Sequence, residues 1–396
     1  MQSRRTFSLN ALIGALSAGS FVPLVHAQSS SAPKASAPGR LRIVQSAALS
    51  GPQAELGLAF SVGAKAAFAA ANAAGGIHGK LIDFVSADDG YDANKAVQNT
   101  AQFLSGSEAP LALFGYTGTA CTKAVMPLAK AAGVVLFSPV SSNDILQSEN
   151  QPQVFFVRGT HSDEITKILT HLSTIGSQRI GVFYSNDDFG QGKLALVKEL
   201  ASQQKLPVPK AVPCDPLSPD IPAAAKALKE GSLQAVIHLT SSQYSGRLLK
   251  ELNGSGLAVQ SRLHHYGISS ISAADLVREA NKSAHGFVIA KRTPNPSGST
   301  AIASDFRLAM RALRPGSKDD LSSSGSAMEG YIAARLLIKA MENAGPKIDR
   351  AALRKAAEGL GRQEIGPFTL TYGPGKHRGS SFVDLAMVRD DLTIAR

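Results

Sequence analysis

Tryptophan is absent from the 396 residues, aromatic side chains make up 6% of them, and there are two cysteines. Two thiols cannot supply a four-thiolate zinc ribbon or an iron–sulfur cluster, and they are too few for a disulfide scaffold. Charged residues are scarce too, at 18% against 44% apolar, a balance that fits a soluble globular chain and excludes a disordered polyelectrolyte or a membrane channel. Lys and Arg outnumber Asp and Glu by 41 to 30, a net +11, yet no run of five basic residues occurs. Without such runs, and without tryptophan for base stacking, the excess reads as a well-mixed basic surface and no nucleic-acid partner is expected. Single cores stop growing near roughly 250–300 residues, so this length implies more than one domain.

Catalytic and cofactor signatures are missing as well. Gly75-Gly76-Ile77-His78-Gly79-Lys80 has the wrong spacing for a P-loop, and Leu81 stands where a magnesium-binding hydroxyl belongs. Gly190-Gln191-Gly192 and Gly373-Pro374-Gly375 lack the third glycine of a dinucleotide fingerprint. There is no GxSxG elbow and no HExxH helix. His264 and His265 are neighbours, so in a strand they point to opposite faces and cannot chelate one ion together. Asp88-Asp89 and Asp187-Asp188 each lie at a strand end, where turn and helix-capping duty is the commoner use. No enzyme activity, cofactor or metal is expected.

What is present begins with an export signal. Residues 1–27 carry Arg4 and Arg5 without an acid, then an apolar stretch, then Val25-His26-Ala27 with small residues where a signal peptidase reads them. Gly14, Gly19 and Pro23 interrupt the stretch, and it falls short of the roughly 20 apolar residues that span a bilayer. The run from Ser3 to Leu9 also resembles a twin-arginine motif, and paired arginines occur equally in ordinary secretory signals, so the route stays open. Residues 28–40 read as a flexible lead.

The remainder alternates strand and helix. Strands are predicted at 41–49, 80–87, 111–115 and 134–138, with helices at 56–72, 92–105 and 120–132 between them. A second series places strands at 179–184, 211–214 and 235–239, with helices at 162–175, 190–203, 221–229 and 245–255. Helices at 304–313, 326–343 and 349–359 follow, then a hairpin of 368–372 with 382–388. This alternation predicts two doubly wound α/β lobes with parallel sheets. The strands end in loops rich in hydroxyls and glycine: Ser50 to Pro52, Tyr116 to Thr119, Ser138 to Asn143, Ser185 to Gly190 and Thr240 to Ser242. In open α/β sheets ligands bind outside the carboxyl ends of the strands, where amides and hydroxyls hold an anion, so two such edges make a clamp for a small molecule.

The ordered series LSGPQAELG, ANAAGGIHGK, SADDGYDANKAV, LFGYTGTA, GVVLFSPVSSND, VFFVRG and YSNDDFGQG closely resembles the periplasmic substrate-binding proteins of branched-chain amino-acid ABC transporters, the leucine-binding-protein type. The resemblance runs over nearly the whole chain from Leu41. It implies a type I periplasmic binding fold with three crossovers, giving lobes of 41–158 plus 286–363 and of 159–285 plus 364–396, hinged at Arg158, Gly159 and Thr160. It also implies a carboxylate site at Thr119, Ser141 and Ser142, a closing aromatic at Phe189, a wall at Leu56, and a second-lobe loop at Ser241 and Ser242. The family's early disulfide falls near Tyr91 and Gly118 and has no counterpart here, while Cys121 and Cys214 lie in different predicted lobes. The acid that receives a ligand ammonium aligns with Tyr266, which points to a ligand without the amine unless Glu55 or Glu329 reaches the site. A monomer delivering a small carboxylate to an inner-membrane ABC permease is expected; the alternative is a ligand sensor of the same fold that signals through a receptor.

Overall fold

A computed structural model describes residues 39–106, 108–148, 151–254, 263–315 and 321–395. The expected export signal and most of the flexible lead lie outside the described residues.

The first sheet is built from β1 (Arg40–Ala47), α1 (Ala54–Ala73), β2 (Leu81–Asp88), α2 (Ala93–Ser105), β3 (Ala112–Phe114), α3 (Thr119–Ala131), β4 (Val135–Phe137), α4 (Asp144–Ser148) and β5 (Val154–Phe155). Its strands are all parallel in the order β2-β1-β3-β4-β5. Parallel strands are covered on both faces, which is why they read as apolar runs instead of alternating. Ile43, Phe114 and Phe137 pack on one side among residues of α1, while Val44, Leu113 and Leu136 face Cys121, Val125 and Met126 of α3 on the other.

The second sheet follows from α5 (His161–Thr174), β6 (Ile180–Ser185), α6 (Asp188–Gln203), β7 (Lys210–Cys214), α7 (Ile221–Glu230), β8 (Ala235–Leu239), α8 (Ser242–Asn253), β9 (His264–Gly267), α9 (Ala273–Ala280) and β10 (Val288–Lys291). The chain continues through α10 (Ala301–Leu313), α11 (Gly325–Asn343), α12 (Arg350–Glu358), β11 (Arg362–Ile365), β12 (Phe368–Thr371), β13 (Asp384–Val388) and β14 (Ile394–Ala395). The order is β14-β13-β10-β9-β8-β6-β7, parallel except where β13 joins β10 and β14 joins β13. The architecture is two α/β lobes with parallel sheets.

Helices α10 and α11 return to the first lobe, where Phe306, Tyr331 and Leu337 join the core of Phe60 and Phe68. The crossing of α1 and α11 is close because each presents a glycine to the other's backbone. A Cβ at Gly63 would lie 1.8 Å from the Ala327 carbonyl oxygen, and one at Gly330 would lie 2.0 Å from that of Phe60.

Several expectations need correction. The resemblance implies that 286–289 belongs to the first lobe, but β10 pairs with β9 and β13, so the chain leaves the second sheet only after Lys291. Likewise the passage near 364 falls later, because Phe368, Leu370 and Tyr372 are buried in the first-lobe core. Strand β12 pairs with β11, and β13 serves the second sheet, so the terminal hairpin of 368–372 with 382–388 does not form. Cys121 and Cys214 are both free and buried, in separate clusters.

Candidate functional site

Backbone pairing brings two hydroxyl-bearing loops of the first lobe together. After β3 and β4 the chains stay in register: Thr117 bridges Val140, the Val140 N–H donates to the Tyr116 carbonyl at 2.8 Å, and that of Gly118 donates to Val140 at 3.0 Å. Thr119 Oγ1 and Ser141 Oγ consequently lie 2.8 Å apart. Gly118 precedes α3 with φ 94° and has no side chain to cap it, so the first-turn amides of a 13-residue helix lie beside these hydroxyls. The Tyr91 ring covers Gly118 so closely that a Cβ there would be 2.4 Å from Cε2. An aromatic ring therefore fills the position at which the resemblance places a disulfide.

Ser142 carries the site across to the second lobe. Its carbonyl accepts from the His161 N–H at 3.1 Å, and its hydroxyl accepts from the Arg292 guanidinium. Arg292 directly follows β10, and its Nε is 3.6 Å from Oε1 of Glu164 on the first turn of α5. Glu164 is wholly buried; it accepts from the Ser269 N–H at 3.2 Å and from His161 Nδ1 at 3.1 Å. Burial alone would raise its pKa, but the Arg292 charge and the His161 hydrogen bond outweigh it and bring the carboxyl down to about 2. Burial lowers the pKa of His161 despite Glu164, so the ring is neutral at pH 7 and donates through Nδ1–H.

The local signals for α5 are strong. Thr160 and Asp163 form a capping box, fixing the helix start that carries His161 and Glu164. Arg158, just upstream, is bound by Glu329 of α11 through two 2.6 Å hydrogen bonds, and both side chains are buried. Gly159 sits between them, with Asp163 Oδ2 3.2 Å from where a Cβ would be.

Arg158, Arg292, Arg378, Lys193 and Lys291 lie at this junction among the carboxylates of Asp144, Asp163, Glu164 and Glu329, and Lys291 is in register with Asp384 of β13. Lys291 is held below its ordinary pKa by burial first, with Arg292 adding repulsion. Each of the acids is engaged: Glu329 by Arg158, Asp163 by Arg378, Glu164 by His161 and Arg292, and Asp144 by the Ser162 N–H.

The other expected residues divide. Phe189 is 42% exposed at the start of α6, its ring 6.2 Å from that of His161, with the Lys193 ammonium 5.8 Å from its centroid. It belongs with the junction. Tyr266 does not: the alternation of β9 turns it into the core under α5, against Ile165 and the His171 ring. Leu56 packs half-buried on the first-lobe core, and Glu55 is exposed. Ser241 caps α8 and Ser242 accepts from the Ser272 N–H. Both line a recess of about 410 Å³ with Asp275, Arg278 and Glu279, and a second, of about 570 Å³, lies by Arg42 and Glu108. Ion pairs form at both recesses, Arg42–Glu108 at one and Arg278–Asp275 and Lys250–Glu279 at the other. Sequence reasoning missed Arg292, Glu164 and His161. Only the capping box hinted at the latter two, and a single arginine after a strand carries no local signal.

Two lobes meeting through hydroxyls, an uncapped helix N-terminus and buried cations define a two-domain ligand-binding protein. A family profile described as periplasmic binding protein matches residues 41–391, and the chain belongs to that family as a periplasmic substrate-binding protein. It is 28% identical to a substrate-binding periplasmic protein from Ralstonia solanacearum, with a TM-score of 0.73 over 90% of this chain and 99% of that one. A branched-chain amino acid ABC transporter structure from Thermus thermophilus with bound valine aligns at 15% identity and a TM-score of 0.74, covering 89% of this chain and 94% of that one. The Leu/Ile/Val-binding protein of Escherichia coli is 21% identical over 63% of this chain and 67% of its own length.

Proposed function

We propose that this protein captures a small carboxylate-bearing ligand lacking an α-amine between its lobes and delivers it to an inner-membrane ABC permease. The observation that carries this reading is the Thr119–Ser141 hydroxyl pair, 2.8 Å apart at an uncapped helix N-terminus, with the Arg292 guanidinium on the neighbouring Ser142 hydroxyl. Hydrogen bonds to a carboxylate are charge-assisted and stronger than neutral ones. An incoming ammonium, by contrast, meets Glu164 and Glu329 already paired with Arg292 and Arg158, and burying it without an anion costs several kcal/mol, order of magnitude. The half-exposed Phe189 supplies an apolar surface for the rest of the ligand. Relatives named for leucine, isoleucine and valine binding support the size class and the transport role.

Calorimetry with leucine, phenylalanine, and their 2-oxo and unsubstituted acids tests the reading. The acids should bind at least about 10-fold more tightly than the amino acids, given what an unpaired ammonium costs. Binding of the amino acids alone overturns it.

A further inference from the structure

We propose that Arg292 is the specificity-determining residue of this site, the charged partner that selects a carboxylate over the corresponding neutral amide. The inference rests on the carboxylate reading above and names the group that enforces it.

Three features single Arg292 out. It occupies the first position after β10, where the chain leaves the second sheet for α10 in the first-lobe core, so its backbone stands at the passage between lobes. Its guanidinium spans that passage, donating to the Ser142 hydroxyl on one side while Nε lies 3.6 Å from Glu164 on the other. Finally, its partners do not satisfy it. Ser142 is neutral, and a 3.6 Å contact to a carboxylate already holding Ser269 and His161 is longer than the 2.6 Å bonds that Glu329 gives Arg158. A guanidinium is planar and presents five donors, so one edge can stay with Glu164 while the other exchanges the Ser142 hydroxyl for a carboxylate oxygen. Thr119 and Ser141 then hold the second oxygen.

Neutral His161 and the engaged Glu164 strengthen the argument by elimination. Arg158 is committed to Glu329, Arg378 to Asp163, Lys193 lies over the Phe189 ring, and Lys291 is in register with Asp384 of β13. Arg292 is the cation that touches a predicted carboxylate-binding hydroxyl directly. An amide in the same place can turn its carbonyl to the guanidinium and its N–H₂ to a hydroxyl oxygen, but it brings no negative charge to pair with Arg292 and forgoes the charge-assisted bond.

The test uses the full chain and a fixed panel: 3-phenylpropionate, 4-methylpentanoate, 2-oxo-4-methylpentanoate, and the amides of the first two, titrated by calorimetry into wild type, R292Q and R292K. Because R292Q leaves Glu164 without its cation, R292Q/E164Q is included and folding is checked by thermal melting. The expected result is a carboxylate preference over the amide of about 10- to 100-fold in wild type, the range of a charge-assisted bond. That preference should collapse to within a few-fold in R292Q and in R292Q/E164Q, and recover in part in R292K. Carboxylate affinity unchanged in folded R292Q/E164Q overturns the role of Arg292 while leaving the carboxylate reading in place. Failure of every carboxylate to bind wild type overturns both.

Discussion

Arg158 and Glu329 face each other through two 2.6 Å hydrogen bonds, their side chains 5% and 7% exposed, and so tie the first passage between lobes to the middle of α11. A buried pair of this geometry gains little over an apolar pair, but removing one partner strands a charge. Glu329→Gln should therefore destabilise the chain by about 3–5 kcal/mol, whereas R158M/E329M should lose much less. Urea unfolding of the two variants checks this; equal losses would contradict the stranded-charge account.

The crossing of α1 and α11 makes a second demand. With carbonyl oxygens 1.8 and 2.0 Å from the positions of new Cβ atoms, neither helix accommodates alanine at Gly63 or Gly330 without moving apart. Each substitution should cost about 1–3 kcal/mol or more through overpacking, although alanine is the better helix former. Thermal denaturation of G63A and G330A measures the balance, and a stabilised variant would show that the helices separate freely.

Acid sensitivity follows from three buried groups. His238 Nε2 and His265 Nδ1 lie 2.9 Å apart on neighbouring strands, and burial lowers both pKa values, that of His265 to about 4. A depressed histidine binds protons more readily when unfolded, so its contribution is complete above the unfolded value of about 6.5 and is lost as pH falls toward 4. Glu164, at about 2, contributes fully above 4.5 and loses that contribution as pH falls toward 2. Stability should thus fall from pH 7 downward in two windows, by up to about 1.4 kcal/mol per pH unit for each proton taken up. Denaturant midpoints from pH 8 to pH 4 should show the histidine window, and H238N/H265N should flatten it.

How legible all this was depended on the chemistry of each segment. Strands such as β8, with Ala235, Val236, Ile237 and Leu239 all buried, read directly from the sequence because parallel strands are apolar on both faces. Strand β9 is hard to see because His264-His265-Tyr266-Gly267 is polar by composition, while its buried His265 is held by the His238 ring on β8 and stacks on Phe287. The hydroxyl loops at the ends of β3 and β4 were visible as strand-end loops, and their pairing through Thr117 and Val140 brings Thr119 to Ser141. Only the resemblance points to Tyr266 as a site residue, and the two-residue alternation of β9 sends it into the core. Arg292 acts through partners 150 and 128 positions away in sequence, Ser142 and Glu164, and no local pattern carries such a contact.

The residues proposed to hold the ligand are divided between the lobes. Thr119 and Ser141 belong to elements of the first sheet, while Phe189 and His161 belong to helices on the second, and Arg292 stands at a passage between them. A ligand that bonds to both sets gains the full interaction only when the lobes approach, so saturation should draw them together about the passages. The Arg158–Glu329 pair ties the first passage to α11. Small-angle scattering with saturating carboxylate should therefore show a smaller radius of gyration than without it, and T119A/S141A should show no such change at the same concentration. Superimposable profiles for wild type with and without a ligand that calorimetry proves bound would mean that one lobe holds the ligand alone.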